Sequence, residues 1–170
     1  ANVALNIHAL GGKAALCGLC GQDSEGELLQ GLAQEKGFEA GLILPSAARR
    51  TTVKVRIIGN QQQVLRVDKE DRLPLQAQER ETMLRLLLPR LDEFDAVVFQ
   101  DYDKGALDEA LIQALIEAAC QRALPVLVDP KFAHFFAYAG CRLFKPNLKE
   151  LNEGLGLRLD RQDLPGVKAA

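Results

Sequence analysis

Residues 96–131, AVVFQDYDKGALDEALIQALIEAACQRALPVLVDPK, decide the fold. A short apolar run, Ala96 to Phe99, breaks into a polar loop; an amphipathic stretch from Asp108 to Gln121 follows; a second apolar run, Val126 to Val128, ends in Asp129-Pro130-Lys131. Two runs of strand length separated by a helix predict parallel strands joined by a right-handed crossover, because parallel neighbours need a long connection. The same alternation extends on both sides. It predicts a helix from Leu75 to about Leu88, a strand at Arg142 to Phe144 and a short helix from about Leu148. Strands and helices in alternation define the α/β class with a mostly parallel sheet.

Upstream, Val3, Ile7 and Leu10 recur at helical spacing, and Gly11-Gly12 supplies a helix stop. A strand is predicted over Ala14 to Cys20 and a shorter one over Leu42 to Leu44. Ser24-Glu25-Gly26-Glu27 has the capping-box spacing, so a helix is predicted from Glu25 to Lys36, closed by Gly37. Between Thr51 and Asp68 the period changes to two, with Val53, Val55 and Ile57 alternating with Thr52, Lys54 and Arg56. That pattern predicts a half-solvated hairpin, turning at Gly59-Asn60 and the glutamines and returning through Val64, Leu65 and Val67. The tail after Glu153, which includes Pro165, reads as loop.

With 48% apolar and 26% charged residues, the 170-residue chain is expected to form one globular domain. Twenty-one basic residues against 23 acidic leave a net charge of −2, which argues against nucleic acid or an anionic membrane as the main partner. No apolar run approaches the roughly 18 residues of a membrane span, and no leader pattern is present, so a cytoplasmic location is expected. The chain starts with alanine inside a helical pattern and is expected to be incomplete at both ends. Cys17 and Cys20 have redox spacing, but they sit in an apolar strand rather than at the helix N-terminus that would activate a thiol. Buried structural thiols are expected. Zinc would need four ligands, and neither His8 nor His134 has a suitably spaced partner.

Open parallel sheets bind ligands beyond the carboxyl ends of their strands. Three such ends are polar: Gln100-Asp101-Tyr102-Asp103-Lys104-Gly105, Asp129-Pro130-Lys131, and Lys145-Pro146-Asn147-Leu148-Lys149-Glu150. Each joins a carboxylate or amide to a lysine, a combination suited to an anionic ligand such as phosphate. The competing reading is local: aspartates after strands often only cap the next helix. By the same reasoning Lys54, Arg56 and Arg66 could be only the solvated face of the hairpin, and His134 a packed or capping histidine.

These residues resemble the ribokinase-like (PfkB) carbohydrate kinases. Asn2, Ala4, Gly11 and Gly21 match the spacing of that family's N-terminal signature. The closest likeness is to the subgroup that phosphorylates D-glycero-D-manno-heptose 7-phosphate at its anomeric oxygen, a step of ADP-heptose and lipopolysaccharide precursor synthesis. It is carried by Thr52-Val53-Lys54-Val55-Arg56, the segment Asn60 to Asp68, Asp101-Tyr102-Asp103-Lys104-Gly105, Asp129-Pro130-Lys131 and Pro146-Asn147-Leu148-Lys149-Glu150.

The resemblance implies a ribokinase-like three-layer α/β sandwich with a small β-lid, the lid falling at about 51–68 and residues 1–170 forming the central part of one kinase domain. It implies that Asn2, Lys54, Arg66, Asp101, Lys104, Asp129 and Lys131 bind the sugar phosphate. Asn147, Lys149 and Glu150 would serve ATP and Mg2+, with Glu150 reaching the metal through water. It further implies a homodimer paired through the lid and, in the parent protein, a fused nucleotidyltransferase domain. The family's Gly-Ala-Gly-Asp loop, which carries the catalytic aspartate, does not occur here. That aspartate is expected beyond the C-terminal end, and the chain alone is expected to be inactive. The alternatives are another PfkB sugar or sugar-phosphate kinase, or a non-catalytic sugar-phosphate binding fragment.

Overall fold

The computed structural model describes residues 2–160, and the expected loop around Pro165 lies outside them. The chain divides into two compact units, Ala1–Met83 and Leu84–Ala170.

The first unit opens with α1 (Asn2–Ala9), which ends at Gly11 in the left-handed region, φ +86°. β1 (Ala15–Gly21) runs parallel to β2 (Glu39–Ser46), joined through α2 (Ser24–Glu35). Gly37, at φ +75°, follows α2, as its position in the sequence predicts. Ala4, Cys20, Ala33, Phe38, Ala40 and Ile43 form the core between these helices and strands.

One expectation is corrected here. The N-cap of α2 is Asp23, not Ser24: its carboxylate accepts from the Gly26 N–H at 2.8 Å, while the Ser24 hydroxyl turns to Glu25. Asp23 wins because it also accepts from the Thr51 hydroxyl at 2.6 Å and the Thr51 N–H at 2.8 Å. Those bonds, the Thr51 hydroxyl first, hold its carboxyl below the usual range. Thr51 in turn accepts from the Gly21 N–H at 2.8 Å, tying the end of β1 to the start of the hairpin.

The hairpin pairs β3 (Val53–Gly59) with β4 (Gln62–Lys69), antiparallel. Asn60 and Gln61, both at positive φ (49° and 62°), make the two-residue turn, whose backbone twist matches that of the strands. Val55 faces Val67 and Ile57 faces Leu65 across the ladder, and a register shift after Ile57 places Ile58 opposite Gln63. The pleat sets Lys54, Arg56 and Arg66 on the other face. α3 (Ala77–Leu87) carries the division between the units and ends in a 3-10 turn, Leu88–Glu93.

In the second unit β5 (Val97–Gln100), β6 (Val126–Asp129) and β7 (Leu143–Phe144) form one parallel sheet in the order 5-6-7. The crossover between β5 and β6 is α4 (Glu109–Gln121), capped by Asp108, which accepts from the Leu111 N–H at 2.8 Å. Its inner face, Leu111, Ile112, Leu115, Ile116 and Ala119, is at most 5% exposed. Such burial is worth roughly 1.5–3 kcal/mol for each large side chain. A 3-10 turn (Phe132–His134) and α5 (Leu148–Leu155) complete the unit, and Gly156 closes α5 at φ +65°.

The cysteine expectation holds only for Cys20, which is 2% exposed. Cys17 and Cys120 are exposed and Cys141 is half-buried, all as free thiols. Cys17 and Cys20 are three positions apart on one strand, so the pleat turns their side chains to opposite faces and they cannot act as a pair.

Candidate active site

The register of the second sheet brings its polar strand ends into line. Gln100 pairs with Asp129, the Asp101 N–H donates to the Asp129 carbonyl at 3.1 Å, and the Lys145 N–H donates to the Val128 carbonyl at 2.9 Å. Three loops therefore leave the sheet from one rim.

At the centre of that rim lies Asp101, only 3% exposed. Its Oδ1 accepts from the Asp103 N–H at 2.7 Å, and its Oδ2 accepts from the Tyr138 hydroxyl at 2.9 Å. His134 Nδ1 lies 3.2 Å from the same Oδ2, a hydrogen bond when that nitrogen carries its proton. Burial first, and the Asp101 charge second, push the Tyr138 phenol far above its usual range, so it stays protonated and donates. The Tyr138 ring is fixed between Phe99 and Phe144, with centroids 5.6 and 6.3 Å away.

Beside it, Asp129 accepts from the Gln100 amide and from Lys145 Nζ at 3.1 Å. Burial raises its carboxyl, but these partners and the nearby Lys131 outweigh that and hold it below the usual range. Lys131 donates to Glu150 Oε1, and this bond, opposed by desolvation and supported by the charges of Glu150, Asp129 and Asp101, raises its pKa. Glu150 is 5% exposed. Its Oε2 accepts from the Asn147 N–H at 2.8 Å, while Asn147 Oδ1 accepts from the Glu150 N–H at 3.0 Å, so both halves of a capping box close the start of α5.

The second unit thus brings Asp101, Asp129, Lys131, Asn147 and Glu150 to one rim. Lys104, half-buried, follows Asp101 on the same loop. Lys149 points elsewhere: it is exposed and lies 3.6 Å from Glu153 on the outer side of α5. In the first unit Asn2 is exposed at the start of α1. Lys54 and Arg66 both bind Asp68 of the hairpin, at 2.8 and 2.9 Å, and Lys54 also lies 3.7 Å from Glu70. A cavity of about 610 Å3 in the same unit, bounded by Leu44, Pro45, Gln78, Glu79 and Thr82, holds none of the expected site residues. Tyr138 escaped the sequence reading because nothing local marks it; it is defined by a partner 37 positions away.

Among the described residues no group of three His, Cys, Asp or Glu side chains could hold a metal ion directly. With Oε2 bound to the cap and Oε1 to Lys131, Glu150 fits a hydrated ion approached through water and not an inner-sphere ligand. No helix among the described residues is long and apolar enough to cross a membrane.

An α/β unit with charged side chains collected at the carboxyl ends of parallel strands has them where open parallel sheets place a ligand. Comparison with known proteins gives its family. The chain matches the pfkB family carbohydrate kinase model over residues 1–170 and belongs to that family of sugar kinases, with the ribokinase-like fold.

It is 46% identical over 157 residues to the bifunctional protein HldE of Caulobacter vibrioides, covering 92% of this chain and 32% of that protein. It is 42% identical over 160 residues to the bifunctional protein HldE of Helicobacter pylori strain 26695, covering 94% and 35%. The chain spans about a third of the length of these curated relatives. Among solved structures it resembles the tetrameric inhibited form of Escherichia coli phosphofructokinase-2 (TM-score 0.69, 23% identity, 99% of this chain and 55% of that one). It is also similar to a carbohydrate kinase from Agrobacterium tumefaciens (TM-score 0.67, 19% identity, 98% and 53%).

Proposed function

We propose that the protein carrying this chain is an ATP-dependent kinase that phosphorylates D-glycero-D-manno-heptose 7-phosphate at its anomeric hydroxyl, giving the 1,7-bisphosphate. The observation that carries this reading is the single rim on which Asp101, Asp129, Lys131 and Glu150 meet, in motifs whose order is that of the heptose-phosphate kinases.

In this reading Lys131 meets the sugar phosphate and Asp101 accepts a sugar hydroxyl. Asp129 holds Lys145 and Gln100 in place beneath them. The resemblance adds Lys54, Arg66 and Asn2 as substrate-binding residues, and Lys104 on the Asp101 loop. Glu150 and Asn147 stand at the nucleotide end, with Lys149 beside them on the exposed side of α5. Mg2+, when bound, neutralises charge on the ATP phosphates. Direct transfer between two bound substrates depends chiefly on positioning, which a rim built from strand ends supplies.

The hairpin is the lid of the kinase domain. Val55, Ile57, Leu65 and Val67, between 42% and 51% exposed, share one of its faces and are covered by the lid of a second copy. Light scattering of the intact protein at micromolar concentration checks the dimer, and a monomer mass removes it. The second catalytic activity of the parent is that of a fused nucleotidyltransferase domain, and its location is cytoplasmic.

The deciding experiment is a substrate panel on the intact protein, with products read by phosphorus NMR. Heptose 7-phosphate should be converted to a 1,7-bisphosphate, and Lys131→Ala should raise the KM for the sugar phosphate much more than the KM for ATP. Phosphorylation of fructose 6-phosphate or ribose without reaction of heptose 7-phosphate overturns the reading in favour of another sugar kinase of the family. No turnover of any sugar overturns it in favour of a binding module.

A further inference from the structure

Asp103 has a left-handed backbone, φ +52°, although it is not glycine. Such a conformation costs a residue with a side chain on the order of 1 kcal/mol, and it persists only where neighbouring bonds impose it. The bond that imposes it here is local: the Asp103 N–H donates to Asp101 Oδ1 at 2.7 Å. Asp101 can serve as that anchor only if its own carboxylate is fixed. The groups that fix it, Tyr138 and His134, come from more than thirty positions later in the chain. Buried carboxylates with several donors are held in one orientation, since rotation would strand both the charge and the donors away from water.

We propose that Tyr138 and His134 are positioning residues for the substrate loop: by clamping Oδ2 of Asp101 they set the shape of residues 101–105, which present Asp101 and Lys104 to the sugar phosphate. The inference rests on the kinase reading above for the identity of the ligand. It adds a specificity consequence. An ionised carboxylate offers about four lone-pair directions. When His134 Nδ1 carries its proton, Tyr138 and His134 take both on Oδ2, and the Asp103 N–H takes one on Oδ1. One direction on Oδ1 is left, so Asp101 receives a single sugar hydroxyl rather than gripping a vicinal pair. Tyr138 is suited to its task because the residue is only 2% exposed and its hydroxyl stays protonated.

Tyr138→Phe in the intact protein tests this, since phenylalanine keeps the ring packing and removes only the donor. Two readouts are needed: hydrogen exchange at the Asp103 amide, and the KM values for heptose 7-phosphate and ATP. The expected result is an Asp103 amide that exchanges about tenfold faster and a KM for the sugar phosphate that rises about tenfold, with the KM for ATP within about twofold. His134→Ala should act in the same direction, and His134→Gln, which restores an N–H donor, should recover most of the loss. Unchanged Asp103 exchange, or an equal rise in both KM values, overturns the proposal and leaves Tyr138 as a packing residue. If the wild-type protein does not phosphorylate heptose 7-phosphate, the functional reading fails by itself. The exchange result then still decides whether Tyr138 shapes the loop.

Discussion

Glu150 bonds through both of its carboxylate oxygens, and the substitution Glu150→Gln separates the two bonds. Glutamine has one acceptor oxygen and one NH2. If the oxygen keeps the Asn147 N–H, which lies 2.8 Å from Oε2, the amide donors face the Lys131 ammonium and that bond is lost. A hydrogen bond between charged groups contributes about 1.5–3 kcal/mol. The Lys131 side chain is 37% exposed, so water replaces part of the interaction and the expected cost falls to about 1 kcal/mol. Glu150→Ala also removes half of the capping box and should cost about 2 kcal/mol. For a protein region of this size these values correspond to Tm decreases of about 3 and 6 °C.

Urea unfolding of the intact protein with Lys131→Met, Glu150→Gln and the double variant closes the cycle, with an expected coupling of about 1 kcal/mol. A coupling within about 0.3 kcal/mol of zero would refute the reasoning. The pair also fixes a pH signature. The folded pKa of Lys131 is raised by Glu150, so the stability it contributes is complete below the ordinary lysine value of about 10.4 and is lost as pH rises through the higher folded value. The stability difference between wild type and Lys131→Met should therefore shrink as the solution becomes strongly alkaline.

Three further outcomes follow from local geometry. Gly154→Ala normally favours a helix, but the new Cβ would lie 2.6 Å from the Phe135 ring, so a net loss of about 1–2 kcal/mol is expected, and a Tm at or above wild type would contradict the packing of α5 on Phe135. Thr51→Val leaves the Gly21 N–H without its 2.8 Å acceptor and should destabilise by about 1–2 kcal/mol in urea titration; an unchanged midpoint would show that this link between β1 and the hairpin is dispensable. The hydrogen bond from Lys54 holds the Asp68 carboxyl below its usual range, so its stabilising effect is present above about pH 4 and lost as pH falls through the folded value. Lys54→Met should move the NMR titration midpoint of Asp68 back towards the ordinary aspartate value of about 3.9, and an unmoved midpoint would assign the shift to Arg66.

The parallel sheet, its crossover helix and the hairpin were legible in the sequence because each is written in a local period: apolar runs ending in polar loops around Phe99 and Val128, and strict alternation from Val53 to Ile57. The candidate rim was legible for a related reason, since strand ends are where such sheets place chemistry. What escaped depends on tertiary partners. Ser24 has the local capping pattern, yet Asp23 caps α2 because Thr51 lies within reach of it. Lys149 and Lys131 look equivalent in the sequence, and only the direction in which α5 leaves Asn147 separates a lysine on the outer helix face from one at the rim. Tyr138 has no motif of its own, and its meaning appears only when the chain folds back to Asp101.

The alignment of the strands in the second sheet also says where this region can be altered by insertion. All three polar loops leave from the carboxyl ends, while the turn at Arg122 and Ala123 precedes β6 at its amino end. A strand of four residues separates the two ends by about 10 Å. Ala123 already sits at φ +53°, a strained value that glycine would relieve. A glycine-flanked epitope or a fluorescent label entering at that turn lengthens a connection without shifting the pairing of Gln100 with Asp129. An insertion within β5 or β6 would slip the register, and one of odd length would turn the rim side chains beyond it to the wrong face.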